Sequence, residues 1–138
     1  MILLDTHAVL WATTDSHLIG DRFRATLETA WDEGSVAASS FVFWELALLQ
    51  SKQRLEVAQP PRDIRDKLLA NGLTIIPVDD DIAIRSVELG AAGFHPDPAD
   101  RIITATAIVG GYQLATADRA ITDWAERTRL VSILDPKN

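Results

Sequence analysis

The sequence predicts an α/β fold, a three-layer α/β/α sandwich built on a parallel sheet. Two observations carry this expectation. Short apolar runs of strand length alternate with stretches of helical spacing, and helix caps and glycine stops stand between them. No internal repeat, low-complexity segment or long linker interrupts the rhythm. A chain of 138 residues fits one domain over residues 1–138, large enough to bury a core without covalent staples.

Taken in order, Ile2-Leu3-Leu4 reads as a short buried strand with Asp5 at its carboxyl end. Thr6 is placed to cap a short helix through Trp11, which the polar Thr13-Thr14-Asp15-Ser16 breaks. Phe23, Leu27, Ala30 and Trp31 fall at helical spacing, and Gly34 ends that helix. Ser35 to Ser39 is a second strand, with Ser39 or Ser40 capping a helix from about Phe41 to Gln53. The first half of that helix is almost wholly apolar and is therefore expected to be buried. Pro60-Pro61 interrupts, after which Ile64, Leu68 and Leu69 mark one face of a helix closed by Asn71-Gly72. Leu73 to Val78 is a third strand, and Asp79-Asp80-Asp81 suits the start of a helix that runs to about Gly93. Asp97 as cap and Pro98 at the first helical position open a helix from Ala99 to Val109, broken by Gly110-Gly111. Gln113 to Thr116 is a fourth strand, Arg119 to Arg127 a last helix and Leu130 to Leu134 a closing strand.

Composition narrows the chemistry. The chain has no cysteine, which excludes disulfides, thiolate metal sites and a cysteine nucleophile, so any metal must be held by oxygen or imidazole. There is no signal peptide and no apolar run of about 18 residues, so a cytoplasmic protein is expected. A net charge of −7 argues against binding nucleic acid through a broad basic surface. It is compatible with an enzyme that meets phosphates through bound cations.

Four acids stand in unusual surroundings. Glu45 lies in the otherwise apolar stretch Phe41 to Leu49, where its neighbours one turn away are all apolar, and a lone buried carboxylate is strongly unfavourable. Asp5, Asp100 and Asp118 each stand where a strand or loop meets a helix start, positions that converge on one rim of a βα sheet. Each of the three also has a purely structural reading, as a helix cap or a first-turn acid. Gathered together, four carboxylates repel one another unless a cation is present, and hard oxygen donors suit Mg²⁺ or Mn²⁺. Such a site points to phosphodiester hydrolysis by a metal-activated water, with a carboxylate available as base.

The opening Met1 to His7, the segment Ser39-Ser40 to Ala47, the stretch His95 to Ala107 and the run Leu114 to Ile121 occur together in this order and spacing. In this the chain resembles the PIN-domain ribonucleases, and within them the VapC-type toxins of type II toxin–antitoxin pairs. The resemblance implies a parallel-sheet sandwich, Mg²⁺- or Mn²⁺-dependent endoribonuclease activity on RNA, a homodimer and inhibition by a small VapB-like antitoxin. By position, Asp5 and Asp100 match the direct metal ligands, with Glu45 and Asp118 completing the site directly or through water. Thr116 matches a supporting hydroxyl position, and Asp123 has no secure counterpart.

Arg101 and Arg119 each follow a site acid and are candidates for phosphate contact, or simply balance their acidic neighbours. His7 and His95 could touch substrate, although a lone loop histidine is more often incidental. Of Trp11, Phe41, Phe43 and Trp44, most are expected in the core, with one or two lining a groove for an antitoxin segment. Competing classes fit less well. A haloacid-dehalogenase phosphatase needs a second Asp where His7 stands, and a phospho-receiver needs a late lysine where none lies between Lys67 and Lys137. The non-enzyme alternative is a catalytically silent PIN-like binding or regulatory module.

Overall fold

The computed structural model describes residues 1–14, 16–53 and 59–138. Its centre is a parallel sheet of β1 (Ile2–Leu4), β2 (Val36–Ser39), β3 (Thr74–Ile76), β4 (Gln113–Ala115) and β5 (Ile133–Leu134), in the order β3-β2-β1-β4-β5. Flanking it are α1 (Thr6–Thr14), α2 (Asp21–Asp32), α3 (Ser40–Ser51), α4 (Pro61–Ala70), α5 (Asp80–Glu88), α6 (Pro98–Gly110) and α7 (Arg119–Thr128). The α/β sandwich expected from the alternation is thus what the chain forms.

Strand order explains where a site belongs. From β1 the chain adds β2 and then β3 on one side, then crosses back to add β4 and β5 on the other. Between β1 and β4 the direction of winding reverses, and the carboxyl ends of strands at such a point leave a crevice. Asp5 follows β1 directly, while Thr116 and Asp118 follow β4. β1, β2 and the end of β4 are buried on both faces, so runs such as Leu3-Leu4 and Val36-Ala37-Ala38 are continuous rather than alternating.

Several local expectations are corrected. The cap of α1 is Asp5, whose Oδ1 accepts the Ala8 N–H at 2.8 Å, and not Thr6, which lies inside the first turn. The helix also runs on to Thr14, because the Thr13 and Thr14 hydroxyls bond back to the carbonyls of Val9 and Leu10 and so do not compete with the helix. Asp15, the third residue of the expected break, lies outside the described residues. Ser39 caps α3 by accepting the Phe41 N–H at 3.1 Å.

The first half of α3 is not wholly buried. Val42 and Leu46, one turn apart, face the core, whereas Trp44 is 51% exposed. Phe41 lies stacked on Trp44 at 4.6 Å, and Trp11, Phe41 and Phe43 are only partly buried. The aromatic core is made instead by Phe23, Phe94 and Trp124. On the far side α5 stops at Glu88, and a 3-10 turn, Leu89–Ala92, carries the chain to Gly93, whose φ of 86° suits a residue without Cβ. Among the described residues no helix is long and apolar enough to cross a membrane.

Candidate active site

Hydrogen bonds at the carboxyl edge of the sheet fix Asp5 first. Its backbone N–H donates to the Ala115 carbonyl at 3.1 Å, continuing the pairing of β1 with β4, so its side chain turns into the crevice at only 8% exposure. Thr116, fully buried, stands between two acids: its hydroxyl oxygen accepts the Asp118 N–H at 3.1 Å, and the same hydroxyl favours the charged form of the neighbouring Asp5 carboxyl. Asp118 in turn caps α7 by accepting the Ile121 N–H at 2.9 Å.

Two further acids come from helices. Glu45, in the second turn of α3, accepts a hydrogen bond from the Thr6 hydroxyl. Asp100 lies in the first turn of α6, where Asp97 is the cap and accepts its backbone N–H at 2.9 Å. The Asp100 Oδ2 is 2.7 Å from Nε2 of His95. Asp5, Glu45, Asp100 and Asp118 line one cavity of about 210 Å³, with Thr6, His7 and Asp97 also on its wall. A larger hollow of about 800 Å³ lies beside β5 and α7, but among the described residues the one buried charged side chain is Asp5, in the smaller cavity.

The electrostatics of the cavity are those of excess negative charge. Burial pushes the Asp5 carboxyl above its ordinary value, against the pull of Thr116, the Ala8 N–H and His7, and Asp118 adds repulsion. Burial likewise pushes Asp100 up to about 6; His95 opposes the shift and the charges of Asp97 and Asp118 add to it. Among the described residues no three His, Asp or Glu side chains form a ready-made metal cage. What the cavity offers is a shared wall of hard oxygen donors whose mutual repulsion a divalent cation would relieve, and that donor set fits Mg²⁺ or Mn²⁺.

The remaining candidates separate. Arg101 makes no ion pair with Asp100 among the described residues; its guanidinium is turned to the backbone of the preceding loop. Its Nε donates to the His95 carbonyl and its Nη2 to the Phe94 carbonyl, both at 2.8 Å, because the 94–97 loop folds back over the start of α6. Arg119 is exposed at the first position of α7, off the cavity wall, and Asp123 is likewise exposed and apart. His7 sits exposed at the rim with its ring 6.0 Å from that of Trp11. Two partners were not foreseen from sequence, Thr6 for Glu45 and His95 for Asp100. The second had a signal: a histidine ahead of Asp97-Pro98 is turned back toward the helix by the cap those residues form.

Comparison with known proteins bears on the family. A family model described as the PIN domain matches residues 2–127. Over 120 residues the chain is 34% identical to Ribonuclease VapC22 of Mycobacterium tuberculosis, spanning 87% of this chain and 88% of that protein. Among solved structures it superposes on VapBC2 from Rickettsia felis bound to a promoter DNA fragment, with a TM-score of 0.70, 24% identity and 98% of each chain covered. It also superposes on FitAcB from Neisseria gonorrhoeae, with a TM-score of 0.67, 23% identity and 99% and 98% of the two chains covered. From the matched family and the curated relative, and with a sheet order that places its acids at the β1–β4 crevice, the chain belongs to the PIN-domain family and within it is similar to the VapC-type ribonucleases.

Proposed function

We propose that the chain, acting as one domain over residues 1–138, is a Mg²⁺- or Mn²⁺-dependent endoribonuclease and the toxin of a toxin–antitoxin pair. The observation that carries this reading is the single cavity shared by Asp5, Glu45, Asp100 and Asp118 at the reversal of strand order. Asp5 and Asp100 hold the divalent ion, and Glu45 and Asp118 complete its surroundings directly or through water. The ion supplies polarisation of the phosphodiester and acidification of a water. A cavity carboxylate takes the proton of the attacking water, Thr116 keeps Asp5 and Asp118 in register, and Arg119 at the start of α7 meets substrate phosphate outside the cavity.

The ribonuclease name of the curated relative supports RNA as substrate, and the toxin–antitoxin complexes among the similar structures support a small VapB-like antitoxin as partner of a cytoplasmic homodimer. Trp44, exposed beside Glu45, and Trp11 give an antitoxin segment an apolar anchor next to the cavity. The test is cleavage of a panel of RNAs by the purified protein. Cutting that needs Mg²⁺ or Mn²⁺, stops with EDTA and is lost in Asp5→Asn is the expected result. Intact RNA with either ion would instead make the chain a silent PIN-like module.

A further inference from the structure

The contacts around Asp100 form a closed ring. His95 touches the Asp100 carboxylate with its ring, while the next residue on α6, Arg101, holds the His95 carbonyl with its Nε and the Phe94 carbonyl with its Nη2. Consecutive residues of one helix therefore grip the same loop residue, one by its side chain and one by its backbone. The far end of the ring is equally constrained. His95 is stacked on Phe94 at 4.5 Å, Phe94 meets Trp124 edge-on at 4.9 Å, and Trp124 donates its Nε1–H to the Ala92 carbonyl at 3.0 Å. The Arg101 guanidinium lies close over Gly90: a Cβ there would lie 2.9 Å from Nη1 and 3.0 Å from Nη2, so the guanidinium would have to shift. That guanidinium cannot swing aside without giving up its bonds to the loop.

An aspartate in the first turn of a helix has several staggered positions open to it, most of them pointing to water. Asp100 is only partly exposed and one of its oxygens is taken by His95, which leaves the carboxylate one orientation against the cavity wall. We propose that His95 is a positioning residue: it holds the Asp100 carboxylate ready for a divalent cation, and Phe94, Arg101 and Gly90 hold His95. The proposal rests on the reading of Asp100 as a metal ligand. With Asp100 ionised, Nε2–H is the donor and Oδ2 the acceptor, so the active tautomer of His95 carries its proton on Nε2. Nothing in this requires His95 to be charged.

The test is calorimetric titration of the full chain with Mn²⁺ alone, alongside melting of each variant in EDTA. Wild type should bind and Asp100→Asn should lose binding. His95→Ala should weaken Mn²⁺ binding by about 10-fold or more, the usual effect of removing an outer partner of a metal ligand. His95→Gln, whose amide N–H can stand in for Nε2–H, should return affinity to within about threefold of wild type, although it melts no higher than His95→Ala. Gly90→Ala, remote from the cavity, should weaken binding by a smaller factor of a few-fold by displacing Arg101. Unchanged Mn²⁺ affinity in His95→Ala, or failure of His95→Gln to recover it, would overturn the positioning role while leaving Asp100 as ligand. Absence of binding by wild type, or normal binding by Asp100→Asn, would overturn the metal-ligand reading and this proposal with it.

Discussion

The two walls of the cavity hold their carboxylates in different ways. On the sheet wall, Asp5 and Asp118 follow neighbouring parallel strands, each caps the next helix, and Thr116 stands between them. On the helical wall, Glu45 and Asp100 cap nothing and each leans on one side chain, Thr6 or His95. The sheet wall is therefore a consequence of the fold itself, since displacing Asp5 means uncapping α1 and breaking the β1–β4 edge. The helical wall is set by individual pairs that a single substitution can release without disturbing an element.

The largest effect should come from removing charge on both walls. Asp5→Asn and Asp100→Asn are each expected to lower RNA cleavage by at least about 100-fold, since each removes a donor that the metal chemistry needs. Asparagine caps a helix about as well as aspartate, so Asp5→Asn should leave the metal-free melting temperature unchanged or higher, with less repulsion in the cavity. Asp5→Ala should instead cost about 1 kcal/mol for the lost cap. Cleavage rates and thermal melts of the three variants measure the comparison directly. Retained cleavage in Asp100→Asn beside its loss in Asp5→Asn would remove the helical wall from the reaction.

A second difference is read by pH. A carboxyl whose folded value lies above its unfolded one binds more protons folded than unfolded, so its contribution to stability is complete below the unfolded value and disappears as pH rises through the folded one. For Asp100 that window runs from 3.8 to about 6, and Asp5 shifts in the same direction. The metal-free protein should therefore become less stable between about pH 4 and about pH 7, by up to about 3 kcal/mol from Asp100, whose side chain is 27% exposed. Urea midpoints in EDTA across that range test this. Asp100→Asn should flatten the slope, and Mn²⁺ should restore stability at the upper end because it binds only the folded state.

Antitoxin binding gives the next smaller effect, confined to one wall. Trp44 is exposed on α3, one residue before Glu45 of the helical wall, and Trp44→Ala should weaken antitoxin affinity by about 2 kcal/mol, the loss typical of an aromatic anchor buried on binding. Titration of the antitoxin onto wild type and variant measures it. Equal affinity would place the partner elsewhere.

The same contrast decides how much could be read from the sequence. Asp97 was legible as a cap, and Asp5 and Asp118 as acids at strand ends, because caps act over three residues and strand ends follow from short apolar runs. Glu45 was legible only as an anomaly, a charge with apolar neighbours. Its partner Thr6 is 39 residues away, a separation that no local spacing encodes. Burial failed at α3 for a related reason: an apolar run shows no face of its own, and only the packed sheet reveals that Val42 and Leu46 point inward while Trp44 does not. The loop contacts of Arg101 were not legible, because its sequence neighbour is an acid whereas its acceptors are the carbonyls of a loop folded back over α6.

The smallest effect should come from loosening one pair on the helical wall while leaving every charge in place. Thr6→Val keeps the shape of a buried side chain in α1 and removes only the hydroxyl that Glu45 accepts from. A hydrogen bond to a charged group is worth about 1.5–3 kcal/mol, but Glu45 is half-buried and water can replace part of it. Cleavage should thus fall by only about three- to tenfold, with melting nearly unchanged. The matching change on the sheet wall, Thr116→Val, should cost more in both measurements, because that hydroxyl serves Asp5 and the Asp118 N–H together in a fully buried position. If the two valine variants behave alike, the distinction between a wall fixed by the fold and a wall fixed by pairs does not hold, and all four carboxylates are equally dependent on their hydroxyl and imidazole partners.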